Sequence, residues 1–134
     1  MKLKRAERPA VLVVEDEPTV RSLAVSIIED LGYPTLSASN AREAMALLQN
    51  EPIELLLTDI NLPDGPGAVD GFELAQKAVM IRPGLRVIYT TGGIRIDSVA
   101  ARFVAGATLL SKPYSNAQLM RAVVTGDAAP ETSS

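Results

Sequence analysis

A chain of 134 residues is one domain by length, and it can bury roughly two-thirds of its unfolded surface. Its net charge of −3 argues against nucleic acid, whose phosphates call for clustered Lys and Arg. The absence of Cys and His removes disulfides, thiolate sites, histidine acid–base chemistry and histidine-ligated zinc.

Residues 1–9 are basic and read as a flexible N-terminus. Ala10–Val14 follows as a short, wholly apolar buried strand, too short for a signal peptide or for a membrane span of about 20 apolar residues. A soluble, cytoplasmic protein is expected. Pro18 suits the first turn of a helix in which Val20, Leu23, Ala24, Ile27, Ile28 and Leu31 recur at helical spacing until Gly32 stops it. Tyr33–Ala38 is a weaker strand, and Pro34 places it at a sheet edge. Asn40 and Glu43 form a capping-box pattern that opens a helix through Leu48. Leu55–Thr58 is the next buried strand, followed by a Gly/Pro loop and a helix over Phe72–Ile81 that ends before Pro83 and Gly84. Arg86–Thr90 is a strand, Asp97–Val104 a short helix and Thr108–Ser111 a short strand. Ser115 with Gln118 caps a last helix to about Val124, and residues 126–134 are a polar tail expected to be disordered.

Five strands alternating with five helices call for a doubly wound α/β fold with a five-stranded parallel sheet and right-handed crossovers. The edge character of the second strand favours the order 2-1-3-4-5, with a ligand site where strands 1 and 3 diverge. All strand C-termini then share one rim. They carry Glu15 and Asp16, then Asp59, then Thr90 and Thr91, then Lys112. Two carboxylates about 4 Å apart repel by about 4 kcal/mol at an effective dielectric of 20, so something must offset the gathering of like charge. Lys112 helps, and a hard divalent cation with oxygen ligands is the natural complement.

The stretches VLVVEDE, LLLTDINLPDG, VIYTTGG and LLSKPY resemble, in this order and on these strand ends, the motifs of bacterial response-regulator receiver domains. The resemblance covers Ala10 to Val124 and implies a flavodoxin-like receiver domain over residues 10–125. It implies that Asp59 accepts a phosphoryl group from a sensor histidine kinase or phosphotransfer protein. It implies that Glu15, Asp16, Asp59 and the backbone carbonyl of Asn61 hold Mg²⁺. Thr91 would bond a phosphoryl oxygen and Lys112 would pair with it, with a cis bond between Lys112 and Pro113. Such a protein signals to a downstream protein, as a monomer or weak dimer, without nucleic acid or membrane. It is not an enzyme beyond promoting its own phosphorylation and dephosphorylation.

Three departures bear on that expectation. Leu109 stands where most receivers have an aromatic switch residue, and YTTGG resembles the "FAT GUY" subgroup, whose members are often single-domain proteins. Without the aromatic latch, Gly92–Val104 is expected to be loosely held before phosphorylation. The acceptor loop carries extra residues around Gly65–Val69, either a kinase-specificity element or an unconstrained surface loop. Other readings are weaker. A flavodoxin-like cofactor site needs a phosphate loop, which the acids of EDEPTV would repel, and a haloacid-dehalogenase-type phosphatase needs a second Asp where Asn61 stands. A pseudo-receiver that binds partners without phosphorylation is the remaining alternative.

Overall fold

The structure, a computed structural model, describes residues 8–62, 70–92 and 102–126. Residues 1–7 of the N-terminus, the extended loop Gly65–Val69, residues 93–101 of the Gly92–Val104 segment with most of the predicted Asp97–Val104 helix, and all of the tail but Gly126 lie outside the described residues. The elements are β1 (Ala10–Val14), α1 (Pro18–Asp30), β2 (Thr35–Ala38), α2 (Ala41–Asn50), β3 (Ile53–Asp59), α3 (Gly71–Ile81), β4 (Arg86–Thr91), β5 (Thr108–Ser111) and α4 (Asn116–Thr125). The five strands form one parallel sheet in the order β2-β1-β3-β4-β5, as the edge-strand argument requires.

Strand alternation divides the core in two. Val11, Val13, Leu55, Leu57 and Ile88 face one way, against Ala24, Ile27 and Ile28 of α1 and Leu119, Ala122 and Val123 of α4. Leu12, Val14, Leu56, Val87 and Tyr89 face the other way, against Ala41, Ala44 and Leu48 of α2 and Phe72, Leu74, Ala75 and Ala78 of α3. A sheet covered on both faces explains why its inner strands read as unbroken apolar runs rather than as alternating ones.

Local signals set the helix ends. Gly32 takes a positive φ of 100° as α1 terminates. Ser115 and Gln118 form a reciprocal capping box at α4, and Gly126 closes that helix in the left-handed region. At α2 the box is only half made. The Asn40 side chain accepts from Glu43 N–H, but the Glu43 carboxylate accepts from Ser39 N–H and Oγ instead of reaching back to Asn40. β3 runs two residues further upstream than its apolar core suggests, and it includes Asp59 because Asp59 still pairs with Thr90 across the sheet. Among the described residues no helix is long and apolar enough to cross a membrane.

Candidate functional site

Asp59 is the last residue of β3 and is 6% exposed. The chain beyond it is pinned at once: Ile60 N–H donates to Thr90 O (2.9 Å) and Gly71 N–H donates to Ile60 O (2.8 Å). A Cβ on Gly71 would lie 2.2 Å from the carbonyl oxygen of Asp59, so only glycine lets α3 start this close to the acid. Asp70 and Gly71 follow directly on the extra residues Gly65–Val69 in the sequence. Asp70 caps α3 by accepting from Glu73 N–H at 2.9 Å.

The expected residues of the rim converge. The Lys112 ammonium donates to Glu15 Oε1 at 2.9 Å and to Asp59 Oδ2 at 3.0 Å. Its backbone N–H donates to Thr91 O at 2.7 Å, and the Lys112–Pro113 bond is cis. Burial alone would lower the Lys112 pKa, but the hydrogen bonds and charges of Glu15 and Asp59 outweigh it and hold the ammonium's pKa above the ordinary lysine value. Thr91 is buried at the end of β4, one residue beyond the partner of Asp59. Tyr114 lies close enough to Glu15, Lys112 and Asp59 to feel their charges, and its pKa is raised, chiefly by burial.

The three acids occupy different stations. One carboxylate oxygen each from Glu15, Asp16 and Asp59 lies within 4.8 Å of the others. Glu15 is 5% exposed and both its oxygens are engaged, Oε1 by Lys112 and Oε2 by Glu17 N–H at 3.1 Å. Asp16 is exposed and makes no hydrogen bond or ion pair among the described residues. Asp59 Oδ1 accepts one hydrogen bond, from Asn61 N–H at 3.1 Å. Asp16, Asp59, Asn61, Leu62 and Asp70 line a cleft of about 430 Å³ there. An all-oxygen donor set with two acids lining a cleft suits Mg²⁺, which takes one or two carboxylates and keeps several waters. Asp16, Asp59 and Asn61 line the same cleft, and Glu15 completes the acid cluster while also bonded to Lys112 and Glu17 N–H.

Sequence reasoning missed three contributors. Arg21 donates to the backbone carbonyl of Glu15 at 2.7 Å, a bond to main chain that leaves no motif. Asp70 lines the cleft and holds Arg102 in an ion pair at 3.0 Å. Tyr89 is fully buried in a ring cluster with Phe72 and Phe103, and its Oη accepts from Val104 N–H at 3.1 Å. An aromatic residue two positions before Thr91 on an inward-facing strand position was the available signal.

The family model described as the response regulator receiver domain matches residues 11–124. The response regulator receiver protein CpdR of Brucella abortus is 38% identical over 108 residues, which span 78% of this chain and 84% of that protein. The response regulator protein PilR of Pseudomonas aeruginosa is 35% identical over 119 residues, 88% of this chain but 26% of that longer protein. Among solved structures, a response regulator receiver protein from Sinorhizobium medicae superposes with a TM-score of 0.79 at 28% identity, covering 87% of this chain and 92% of that one. The receiver domain of NtrX from Brucella abortus gives a TM-score of 0.75 at 28% identity, covering 84% and 93%.

Proposed function

The chain belongs to the response regulator receiver domain family, and from that membership we propose that it is a phospho-accepting module of a two-component system, with Asp59 as the acceptor. The observation that carries this reading is the station of Asp59: at a strand end, one oxygen on Lys112, the other accepting from Asn61 N–H, and the residue lining a cleft with Asp16. The donor is a phosphohistidine on a sensor kinase or phosphotransfer protein. An Asp59 carboxylate oxygen attacks phosphorus in line with the P–N bond. The P–O bond forms as the P–N bond breaks, and the imidazole nitrogen leaves with the electron pair.

Such a transfer asks the protein for positioning and charge compensation more than for covalent chemistry. Lys112 provides both, since phosphorylation replaces one negative charge on Asp59 by about two, beside an ammonium already 3.0 Å away. Thr91, buried at the end of β4, would bond a phosphoryl oxygen, a role its place after Tyr89 and Thr90 in the YTTGG stretch supports. Glu15, Asp16 and Asp59, with Asn61 at hand, would hold Mg²⁺, which would supply neutralisation of phosphoryl charge. The chain turns over no separate substrate. It acts in the cytoplasm by contact with a downstream protein, and YTTGG supports placing it with single-domain receivers of the FAT GUY type. A pseudo-receiver would have no need of an acid cluster, lysine and cleft aligned in this way.

Acetyl phosphate or a candidate kinase, with Mg²⁺, should add one base-labile phosphoryl group to the wild type and none to Asp59→Asn. Undiminished labelling of Asp59→Asn, or Mg²⁺-independent labelling, overturns the assignment.

A further inference from the structure

We infer that Arg21 is a positioning residue for the cation site, acting through the peptide that joins Glu15 to Asp16. This rests on the cation reading given above. Glu15 is fixed at four points: its N–H donates to Ala38 O (3.1 Å), its carbonyl accepts from Arg21 Nη1 (2.7 Å), Oε2 accepts from Glu17 N–H and Oε1 from Lys112. Three of those bonds hold Glu15 itself. The fourth, from Arg21, holds the carbonyl of the peptide plane from which Asp16 springs. Asp16 has no side-chain partner among the described residues, so its carboxylate is aimed by its backbone alone. A charge-assisted bond of 2.7 Å to that carbonyl is therefore what sets the direction of the most open ligand.

The placement of Arg21 makes little sense otherwise. It lies at the start of α1, where its own N–H donates to Glu17 O and where the helix dipole disfavours a cation. The first turn of α1 holds no acid, and among the described residues Arg21 makes no ion pair with the N-cap Glu17. Glu43, at the start of α2, lies near enough to feel Arg21, but it is almost fully exposed and already bonded to Ser39. A positive charge beside a cation site also repels the cation. Electrostatics alone thus predicts that removing Arg21 tightens Mg²⁺ binding, whereas positioning predicts that it weakens binding. The two accounts differ in sign.

The experiment is calorimetric titration with Mg²⁺ of the wild type, Arg21→Met, Arg21→Lys, Asp16→Asn and the double variant Arg21→Met/Asp16→Asn, with melting of each metal-free protein as a fold check. Loss of a group that orients a ligand typically weakens metal affinity 10–100-fold, and Arg21→Met should fall by about tenfold. Arg21→Lys, which keeps a charged donor, should retain most of the affinity. In the Asp16→Asn background Arg21→Met should cost nothing further, because the ligand it orients is already spoiled. Should Arg21→Met not fold, Arg21→Gln replaces it, with binding weaker than that of Arg21→Lys expected and binding tighter than wild type counting against the inference. Equal or tighter binding by Arg21→Met, or an undiminished loss in the Asp16→Asn background, overturns it while leaving the cation reading intact. A wild type that binds no Mg²⁺ overturns both.

Discussion

Replacing Lys112 by Met tests the electrostatic design of the rim. Lys112 sits 2.9 Å from Glu15 and 3.0 Å from Asp59, with side-chain exposures of 24% for the lysine and 7% and 8% for the acids. At an effective dielectric near 20 each attraction is roughly 5–6 kcal/mol before desolvation, and two acids within 4.8 Å repel by about 3.5 kcal/mol. Desolvation consumes much of the gross attraction, so the net effect of deleting one partner from a buried pair is smaller, about 3–5 kcal/mol. With Mg²⁺ absent, Lys112→Met should lose about 3 kcal/mol at neutral pH. At a urea m-value of about 1–2 kcal/mol/M the unfolding midpoint should drop by about 1.5–3 M. Two rescues follow from the same geometry. Adding Asp59→Asn removes one of the stranded charges and should restore most of the loss, and saturating Mg²⁺ should restore part of it by neutralising the same acids. A midpoint unchanged within error, or a double variant as unstable as Lys112→Met alone, would refute the reasoning.

The raised pKa of Lys112 gives a stability contribution that is whole below the ordinary lysine value of 10.5 and is lost as pH rises through the higher folded value; alkaline urea titrations should show this decline in the wild type and less of it in Lys112→Met. Tyr89→Phe deletes only the acceptor for Val104 N–H and should cost about 1–2 kcal/mol, with faster amide exchange at Val104 as its specific mark. Gly71→Ala drives a methyl toward the Asp59 carbonyl and should cost about 1–3 kcal/mol and slow phosphoryl uptake, whereas Gly84→Ala, which meets nothing within 4 Å, should do neither. Asp16→Asn should raise metal-free stability by relieving like charge, read from urea midpoints, while Glu15→Gln should lower it, because both Glu15 oxygens are in use.

That last contrast marks what was legible in the sequence. The strand ends were, because short apolar runs bounded by Gly, Pro and Asp locate strands, and a parallel sheet then forces Glu15, Asp16, Asp59, Thr91 and Lys112 onto one rim. Their individual duties were not. Relief of repulsion predicts the same outcome for Glu15 and Asp16, and only coordinates show Glu15 clasped by Lys112 and Glu17 while Asp16 stands open. Arg21 was invisible for a related reason: its partner is a carbonyl, which every residue possesses. Asp70 and Gly71 were obscured by the extra loop residues, although the close seat of Gly71 against Asp59 depends on the fold and not on the spacing.

Leu109 in the usual aromatic position suggested that little would hold the end of the switch segment, and for residues 102–104 the packing is otherwise. Phe103 meets Phe72 at 5.5 Å and Tyr89 at 4.9 Å between ring centroids, and Phe72 meets Tyr89 at 5.3 Å. Val104 N–H is bonded to Tyr89 Oη, and Arg102 lies over the Phe72 ring at 4.7 Å while pairing with Asp70. Each ring pair contributes about 0.5–1.5 kcal/mol and the hydrogen bond about 1. The exposed ion pair adds at most about 1 kcal/mol. Coupling between sites is typically about 1–3 kcal/mol, so detaching Phe103 from its seat would consume all of a typical coupling energy, or more. Phe72 follows Gly71, which is seated on the Asp59 carbonyl, and Tyr89 precedes Thr91 by two residues on one strand face. The rings therefore join the end of β3 at Asp59, the end of β4 at Thr91 and residues 102–104 as one packed body. A signal crossing this face has to shift that body as a unit or be taken up elsewhere than at the Phe103 seat.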